Sequence, residues 1–171
     1  MNNITLIGMP GSGKSTVGVL LAKAIGFSFV DVDLVIQERE GALLQDILDA
    51  RGVDDFLTLE EDVVCSLSCA HTVIAPGGSA VCRERAADHL RSLGPVVYLD
   101  VPLAELEQRI DNLSRRGVAM GPGQTLADLL RLRAPLYNKY ADLVVRCPQG
   151  QPLDRTAQLV RARLEEAGLL P

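Results

Sequence analysis

The feature that most restricts what this chain can fold into is a glycine-rich segment at residues 8–15, GMPGSGKS. It matches the pattern G-x-x-x-x-G-K-S, and it lies between an apolar strand candidate at residues 3–7 and an amphipathic helix candidate that ends before Gly26. A glycine-rich turn that binds nothing would need neither the Lys-Ser pair nor the following helix. The combination predicts a phosphate-binding P-loop, in which backbone N–H groups and the helix N-terminus face an anion.

The residues of this loop have distinct expected roles. The positions expected to bind a nucleotide are Gly11, Ser12, Gly13, Lys14, Ser15 and Thr16. The glycines allow the backbone to turn tightly and to approach phosphate oxygens closely. Lys14 can reach the β- and γ-phosphates as a point charge, and the Ser15 hydroxyl is placed to ligate Mg²⁺.

Short apolar runs alternate with helical patterns along the rest of the chain. The strand candidates are Thr5–Ile7, Ser28–Val30, Thr72–Ala75, Val96–Leu99 and Leu143–Arg146, and the helix candidates lie at about 14–25, 33–39, 44–50, 54–69, 81–93, 103–111, 125–139 and 153–167. Most strand candidates are continuous apolar runs, as expected for strands that are covered on both faces. The alternation predicts an α/β fold with a parallel sheet between helices. The 171 residues, 1–171, are expected to form a single domain.

One irregular segment, LSRRGVAMGPG at residues 113–123, breaks this alternation. A loop of this composition between helices predicts a mobile lid at about 112–124, and the alternative is a solvated connector. Arg115 and Arg116 lie within the segment, and Arg109 lies late in the preceding helix. Folded over bound phosphates, these arginines would neutralise charge while the lid excludes water, whereas at an exposed surface they would contribute little.

Two acidic residues, Asp31 and Asp33, follow the second strand candidate. Ligands of parallel sheets bind outside the carboxyl ends of the strands. If the chain is extended here, both side chains project to the same side. One carboxylate would then hold Mg²⁺ through water, and the other would accept a proton or a hydrogen bond from a substrate hydroxyl. The alternative is that Asp33 only caps a helix that begins at Leu34.

Two further features are candidates for contact with a substrate. Gly77 and Gly78 follow the third strand candidate and allow a close approach of the backbone to a ligand, although a tight turn without a ligand would also use them. Arg133 lies near the end of a helix candidate, where its guanidinium could bind a carboxylate with two parallel hydrogen bonds. The alternative for Arg133 is a solvated position on the helix surface.

The composition restricts the class of partner. A formal net charge of -5 and a pI near 5.0 are typical of a metabolic enzyme and disfavour a general nucleic-acid binder. The N-terminus has no signal-peptide pattern, and no apolar run approaches the roughly 18 residues of a membrane span. We therefore expect a cytoplasmic, monomeric enzyme that acts on small molecules, without a nucleic-acid or membrane partner.

The ordered motifs of the chain resemble those of the shikimate kinases, from Asn3 to about Val145. They are the P-loop, DVD at residues 31–33, Phe56 with EEDVV at residues 60–64, GGSAV at residues 77–81, Arg116 in the lid segment, RAPLY at residues 133–137 and ADLVV at residues 141–145. A P-loop alone is shared by many NTPases, whereas the ordered set is much more specific. The resemblance implies an adenylate-kinase-like, three-layer P-loop NTPase fold with a five-stranded parallel sheet.

The resemblance also implies an activity, which is the ATP-dependent phosphorylation of the 3-hydroxyl of shikimate with Mg²⁺. The residues implied for catalysis are Lys14, Asp33 and Arg116. Those implied for ATP are the P-loop residues with Arg109 and Arg116, those for the acceptor are Asp33, Gly77, Gly78 and Arg133, and those for the metal are Ser15 and, through water, Asp31. Asp33 would bind the acceptor hydroxyl and act as the base, and Arg133 would bind the shikimate carboxylate.

The chain departs from the family pattern at three positions. The family has Phe-Arg-x-x-Glu where this chain has FLTLE at residues 56–60, so that Leu57 replaces the arginine that normally pairs with the substrate carboxylate. The glycine triplet of the family reads GGS at residues 77–79, and the Arg-Pro of its lid is Arg116 followed by Gly117. The loss of one charge-assisted hydrogen bond costs about 1.5–3 kcal/mol. This corresponds to roughly one to two orders of magnitude in affinity.

Three functions remain open on the sequence. The first is a shikimate kinase with an altered carboxylate clamp. The second is a kinase of the same fold that phosphorylates another small hydroxylated metabolite, with Leu57 facing a neutral or apolar part of it. The third is a nucleotide-binding regulatory module without transfer activity, against which Asp31, Asp33 and the arginines of the lid argue.

Overall fold

The computed structural model describes residues 3–113 and 117–170, and its five strands form one parallel sheet. The strands are Ile4–Ile7 (β1), Ser28–Asp31 (β2), Thr72–Ala75 (β3), Val96–Asp100 (β4) and Leu143–Arg146 (β5), in the order β2-β3-β1-β4-β5. The register places Ile4 opposite Val73 and Thr5 opposite Val96. Each predicted strand is confirmed to within one residue at either end.

The helices of the described residues alternate with these strands. They are Lys14–Ile25 (α1), Val32–Glu40 (α2), Leu44–Arg51 (α3), Val53–Ser66 (α4), Glu84–Leu93 (α5), Leu103–Leu113 (α6), Leu126–Tyr140 (α7) and Leu153–Glu166 (α8), with a short 3-10 helix at Ala80–Cys82. The predicted α/β fold, with a five-stranded parallel sheet and helices on both faces, is confirmed.

Two apolar clusters hold the helices against the sheet. The larger cluster packs β1 and β4 against α1 and α8, with Leu6, Leu21, Val97, Val160 and Leu164 at its centre. The smaller cluster packs α2, α4 and α5 against β3, and its buried members include Ile36, Val63, Val64, Ile74 and Leu90. Loops follow the carboxyl ends of the strands at one edge of the sheet. A ligand site forms at this edge in a sheet of this kind.

Two helix predictions were wrong in extent. The predicted helix at 81–93 is a 3-10 turn followed by α5, because Arg83 between them adopts an extended backbone (φ -116°, ψ 118°) and pairs with Asp54 at 2.6 Å. The predicted helix at 54–69 ends at Ser66. Leu67 is extended there (φ -64°, ψ 127°), and the chain leaves the helix toward β3.

The predicted lid at about 112–124 lies partly outside the described residues, since residues 114–116 are not described. Beyond that gap, the Gly117 N–H donates to the Gln45 side-chain oxygen of α3 at 3.0 Å, and Ala119 is buried. The mobility of the segment stays a prediction. Among the described helices, none has both the length and the apolar character that a membrane-spanning segment requires.

Candidate active site

A cleft of about 500 Å³ opens at the carboxyl ends of the strands. Its P-loop end is formed by Gly11, Gly13, Lys14, Ser15, Thr16, Arg109 and Leu153. Its Arg133 end is formed by Asp33, Phe56, Glu60, Gly77, Gly78, Ser79 and Arg133. Asp31 also lines the cleft. One continuous space therefore contacts almost all of the residues that the sequence singles out.

The P-loop turns directly into α1, with Gly13 as the residue that precedes the helix. Gly13 has a φ of 92°, a backbone conformation that residues other than glycine rarely adopt. A Cβ atom at this position would also lie 2.6 Å from the Leu153 side chain. Ser12, in contrast, is fully buried beneath the loop and is absent from the cleft wall. The first N–H groups of α1 have no partner within the helix, so they are available to an anion at this end.

Lys14 is buried at the floor of the P-loop end. Its Nζ donates hydrogen bonds to the carbonyl oxygens of Gly8 at 2.9 Å and Met9 at 3.0 Å. The pKa of Lys14 is lowered to about 8, mainly by burial; the charge of Asp33 opposes this shift and the charge of Arg133 contributes to it. An ammonium held only by carbonyl groups in this way is prepared to exchange them for phosphate oxygens.

Arg109 connects α6 to the P-loop. Its Nη1 donates to the carbonyl oxygens of Gly11 at 3.3 Å and Ser12 at 3.2 Å, and its Nε donates to Glu105 at 2.9 Å. The second oxygen of Glu105 accepts the N–H of Gly150, in the loop between β5 and α8, at 2.9 Å. Glu105 therefore joins three parts of the P-loop end, and the Gly150 hydrogen bond holds the pKa of that carboxyl below its usual range.

Asp31 and Asp33 both reach the cleft, but not as two residues of an extended strand. Asp31 ends β2 and caps α2, where its Oδ1 accepts the N–H of Asp33 at 3.0 Å, and Asp33 lies in the first turn of that helix. The helix begins at Val32 and not at Leu34, so the alternative that Asp33 only caps a helix is wrong. The Oδ1 of Asp33 is buried without a partner among the described residues, and burial together with the Asp31 charge raises the pKa of Asp33 to about 6, although Lys14 opposes this shift.

Arg133 lies on the cleft-facing side of α7 and is buried, so the alternative of a solvated helix arginine is wrong. Its Nη2 donates to the carbonyl oxygen of Ala119 at 2.9 Å. One turn later, the Tyr137 hydroxyl donates to the carbonyl oxygen of Gly78 at 2.6 Å, and the Tyr137 ring stacks on Tyr98. These contacts fix the backbone of Gly78 beside the Arg133 guanidinium, whose Nη1 would lie 3.3 Å from a Cβ at Gly78.

Glu60 and Ser79 face each other across the Arg133 end. The Ser79 hydroxyl donates to Oε2 of Glu60 at 2.5 Å, while Oε1 of Glu60 is buried without a partner among the described residues. Gly77 lies directly against this carboxyl group, because a Cβ atom there would be 2.2 Å from Oε1 of Glu60 and 3.1 Å from Oδ1 of Asp33. Only glycine fits at position 77, because any Cβ atom would collide with the Glu60 carboxyl group.

Leu57 does not line the cleft. It is half-buried and packs against the apolar cluster formed by α2, α4 and α5. At this position the chain contributes an aliphatic contact to the core instead of a charge to the Arg133 end.

Most predicted site residues meet in one place. Eleven of them line the cleft: Gly11, Gly13, Lys14, Ser15, Thr16, Asp31, Asp33, Gly77, Gly78, Arg109 and Arg133. Arg116 lies outside the described residues, so its predicted role is not addressed by the structure. Sequence reasoning missed the contributions of Glu60, Ser79, Tyr137 and Glu105. Their side-chain types are common on helices and turns, and only the folded chain brings Glu60 to Ser79 or Glu105 to Gly150.

Comparison with known proteins gives a consistent result. The shikimate kinase family model matches residues 10–164. A shikimate kinase of Paracidovorax citrulli is 37% identical over 99% of this chain and 95% of its own length, and one of Pseudomonas fluorescens is 40% identical over 93% of this chain and 98% of its own. The solved structure of a shikimate kinase from Acinetobacter baumannii in complex with shikimate is 33% identical, covers 99% of this chain and 96% of its own, and superimposes with a TM-score of 0.90. This chain therefore belongs to the shikimate kinase family.

Proposed function

We propose that this protein transfers the γ-phosphoryl group of ATP to the 3-hydroxyl of shikimate. The observation that carries the proposal is a single cleft with a P-loop at one end and a buried arginine beside acidic side chains at the other. Phosphoryl transfer depends mainly on positioning two substrates and on neutralising charge, and this arrangement supplies both. The relatives described above, which are named shikimate kinases, support shikimate as the acceptor over another hydroxylated metabolite.

The P-loop end would bind the triphosphate of ATP. The free N–H groups at the start of α1 and the Lys14 ammonium would bind the β- and γ-phosphates. Arg109, which already contacts the loop, would add a second positive charge near them. We assign Gly11, Ser12, Gly13, Ser15 and Thr16 to the same loop function.

The residues present fit a magnesium ion that arrives with the nucleotide. Ser15 is exposed in the cleft, and Asp31 lines it with a carboxylate that only partly engages the backbone of α2. In the described residues, no cluster of three or more His, Cys, Asp or Glu side chains forms a closed metal site, as expected for Mg²⁺ held largely by phosphates and water. When bound, Mg²⁺ would neutralise phosphate charge, with Ser15 as a ligand and Asp31 in contact through water.

Asp33 would orient and deprotonate the acceptor hydroxyl. Its unpartnered Oδ1 faces the cleft wall at Gly77, in the part of the site between Lys14 and Arg133. A carboxylate in this position can accept the hydroxyl proton as the oxygen attacks the γ-phosphorus. Arg133 would bind the shikimate carboxylate, and Gly77 with Gly78 would let the backbone approach the acceptor.

We also propose a domain organisation, an oligomeric state and a location for the whole chain. Residues 1–171 form one domain, and the segment at about 112–124 closes as a lid that brings Arg116 over the phosphates. We further propose that the protein acts as a monomer. The use of ATP as co-substrate supports a cytoplasmic location.

The experiment that tests the proposal is an acceptor panel. Purified protein is incubated with Mg·ATP and, separately, with shikimate, quinate, other cyclic hydroxy acids and neutral polyols, while ADP release is measured with a coupled assay. We expect the highest kcat/KM with shikimate and little ADP release without an acceptor. A higher kcat/KM with another alcohol would replace shikimate as the substrate, and nucleotide binding without transfer to any acceptor would indicate a regulatory module.

A further inference from the structure

The Arg133 end contains a buried carboxyl group that the proposed chemistry does not use. Glu60 of α4 is 1% exposed and lines the cleft. Its Oε2 accepts a hydrogen bond from the Ser79 hydroxyl, and its Oε1 has no partner within residues 3–113 and 117–170. A buried polar atom without a partner is costly, and at a cleft wall it indicates a contact that a ligand completes.

The surroundings of Glu60 disfavour its negative charge. In the described part of the chain, none of the ion pairs includes Glu60. The pKa of Glu60 is raised to about 7, mainly by burial; the hydrogen bond from Ser79 opposes this shift, and the charge of Asp33 from α2 contributes to it. Arg133 of α7 and Lys14 of α1 lower it by smaller amounts. Burial is the main cause that raises the pKa of the nearby Cys82 thiol, and the charge of Glu60 also contributes to that shift.

We propose that Glu60 binds the acceptor as a neutral carboxylic acid, in which Oε1–H donates a hydrogen bond to an oxygen of the acceptor while Ser79 holds Oε2. The inference rests on the proposed function, because it concerns how shikimate is bound. Glu60 is then an acceptor-binding residue, and Ser79 is a positioning residue that acts through it. The bound acceptor satisfies Oε1 of Glu60, which has no partner among the residues that the structure describes.

The charge of the acceptor gives the physical reason for the neutral form. Shikimate carries a carboxylate, and an ionised Glu60 in the same cleft would repel it in surroundings of low dielectric constant. A neutral acid removes that repulsion and adds a hydrogen-bond donor. Arg133 then supplies a positive charge at this end, where its Nη1 would lie 3.3 Å from a Cβ at Gly78.

Leu57 belongs to the same arrangement. It lies three residues before Glu60 on α4, so the two side chains are neighbours on the helix surface. An arginine at position 57 would therefore place a guanidinium beside Glu60 and favour its ionised form. Leu57 instead packs into the apolar core, and the neutral hydroxyl of Ser79 is the group that contacts Glu60.

The first test is the pH dependence of the KM for shikimate, measured from about pH 6 to about pH 9. In the wild type, we expect this KM to rise above about pH 7, by up to about tenfold per pH unit if only the acid form binds, while the KM for ATP does not follow the same curve. Glu60→Gln, which keeps a donor but cannot ionise, should retain activity with a flat profile. Glu61→Gln is the matched control, because Glu61 pairs with Arg85 outside the cleft, and it should keep the wild-type profile.

Ser79→Ala tests the positioning role. Removing the hydrogen bond that favours the ionised form should move the midpoint of the KM profile to higher pH by about one unit or more. A merely structural role for Ser79 would lower activity at every pH without moving the midpoint. A midpoint that does not move would therefore overturn the role assigned to Ser79.

A titration of the Glu60 side chain by carbon NMR provides a readout that is independent of turnover. The ligand-free protein should give a midpoint near pH 7, and Leu57→Arg should lower it. A midpoint near the ordinary value of 4.5 would overturn the inference. Turnover of shikimate with a flat wild-type KM profile would overturn the inference alone, whereas the absence of any shikimate turnover would overturn the proposed function and the inference together.

Discussion

At the scale of single residues, the cleft brings together ionisable side chains that are buried and form no ion pair within residues 3–113 and 117–170. Lys14 has a lowered pKa, and Asp33 and Glu60 have raised pKa values, in each case mainly because of burial. Displaced pKa values of this kind cluster at functional sites, where a ligand supplies the missing partners. The folded protein therefore gives up stability in the cleft, and substrate binding recovers it.

Lys14→Ala should abolish most of the transfer activity while leaving the fold intact. The variant loses the charge that would bind the phosphates, and we expect kcat to fall by at least about 100-fold. It also removes a buried ammonium that only two carbonyl groups satisfy, so the melting temperature of the ligand-free protein should not fall greatly. Lys23→Ala, an exposed change on the same helix, is the control. A large loss of melting temperature or retained transfer would contradict the role.

Arg133→Lys should weaken acceptor binding selectively. Lysine keeps the charge but cannot bind a carboxylate with two parallel hydrogen bonds. The KM for shikimate should rise by roughly one to two orders of magnitude, with a smaller change in kcat and in the KM for ATP. Arg131→Lys is the matched control, because Arg131 lies on the exposed face of the same helix and pairs with Asp128. If the KM for ATP rose instead, Arg133 would belong to the phosphate end of the reaction.

Glu60→Gln should change how stability depends on pH. Between about 4.5 and about 7, the folded protein binds a proton at Glu60 that the unfolded chain releases, so the free energy of unfolding of the wild type falls as the pH rises through this window. In Glu60→Gln the side chain cannot ionise, so the free energy of unfolding does not decrease for this reason as the pH rises. The free energy of unfolding of this variant relative to the wild type should therefore increase by roughly 2 to 3 kcal/mol from about pH 5 to about pH 8, as measured by urea denaturation. Parallel curves for the two proteins would show that Glu60 has an ordinary pKa.

At the scale of elements, the strands were predictable and the ends of several helices were not. Each strand is a short apolar run between turn residues, a signal that is local in the sequence. The break at Arg83 is different, because no glycine or proline between residues 80 and 93 marks it in the sequence. At the break, Arg83 pairs with Asp54, which is 29 residues away and cannot be matched to it from the sequence. The cap at Asp31 was also missed, since Asp31 and Asp33 are equally good capping residues in sequence.

The contacts of α6 give a prediction at this scale. Glu105 ties Arg109, and through it the P-loop, to the loop that carries Gly150. Glu105→Ala should release both contacts and raise the KM for ATP by about tenfold, because roughly one charge-assisted hydrogen bond is lost at the nucleotide end. The KM for shikimate should change little. Glu107→Ala, an exposed change on the same helix, should leave both KM values unchanged, and an equal effect of the two variants would contradict the proposed tie.

At the scale of the whole molecule, the order β2-β3-β1-β4-β5 explains why one cleft can hold two substrates. β1 lies at the centre of the sheet and carries the P-loop, while β2 and β3 to one side carry Asp31 and Gly77 at their carboxyl ends. The proposed sites for the phosphate donor and the acceptor therefore lie at the ends of neighbouring strands, an arrangement that suits phosphoryl transfer.

Much of this site could be predicted from the sequence, because the P-loop, Asp33, Gly78 and Arg133 occur in recognisable motifs. The pairing of Glu60 with Ser79 could not, since it joins residues that are 19 positions apart on different elements. The consequence of Leu57 was also hidden, because the sequence shows that a charge is missing but not which group contacts Glu60 in its place.

The measurement that tests the account most directly is identification of the reaction product by phosphorus–proton correlation NMR after incubation with Mg·ATP and shikimate. We expect one new phosphate ester, coupled to the proton at carbon 3 of shikimate, with one ADP formed for each ester. A phosphate at another hydroxyl would contradict the proposed position of Asp33. ADP and free phosphate without any ester would contradict the central claim that this cleft binds both substrates for direct transfer.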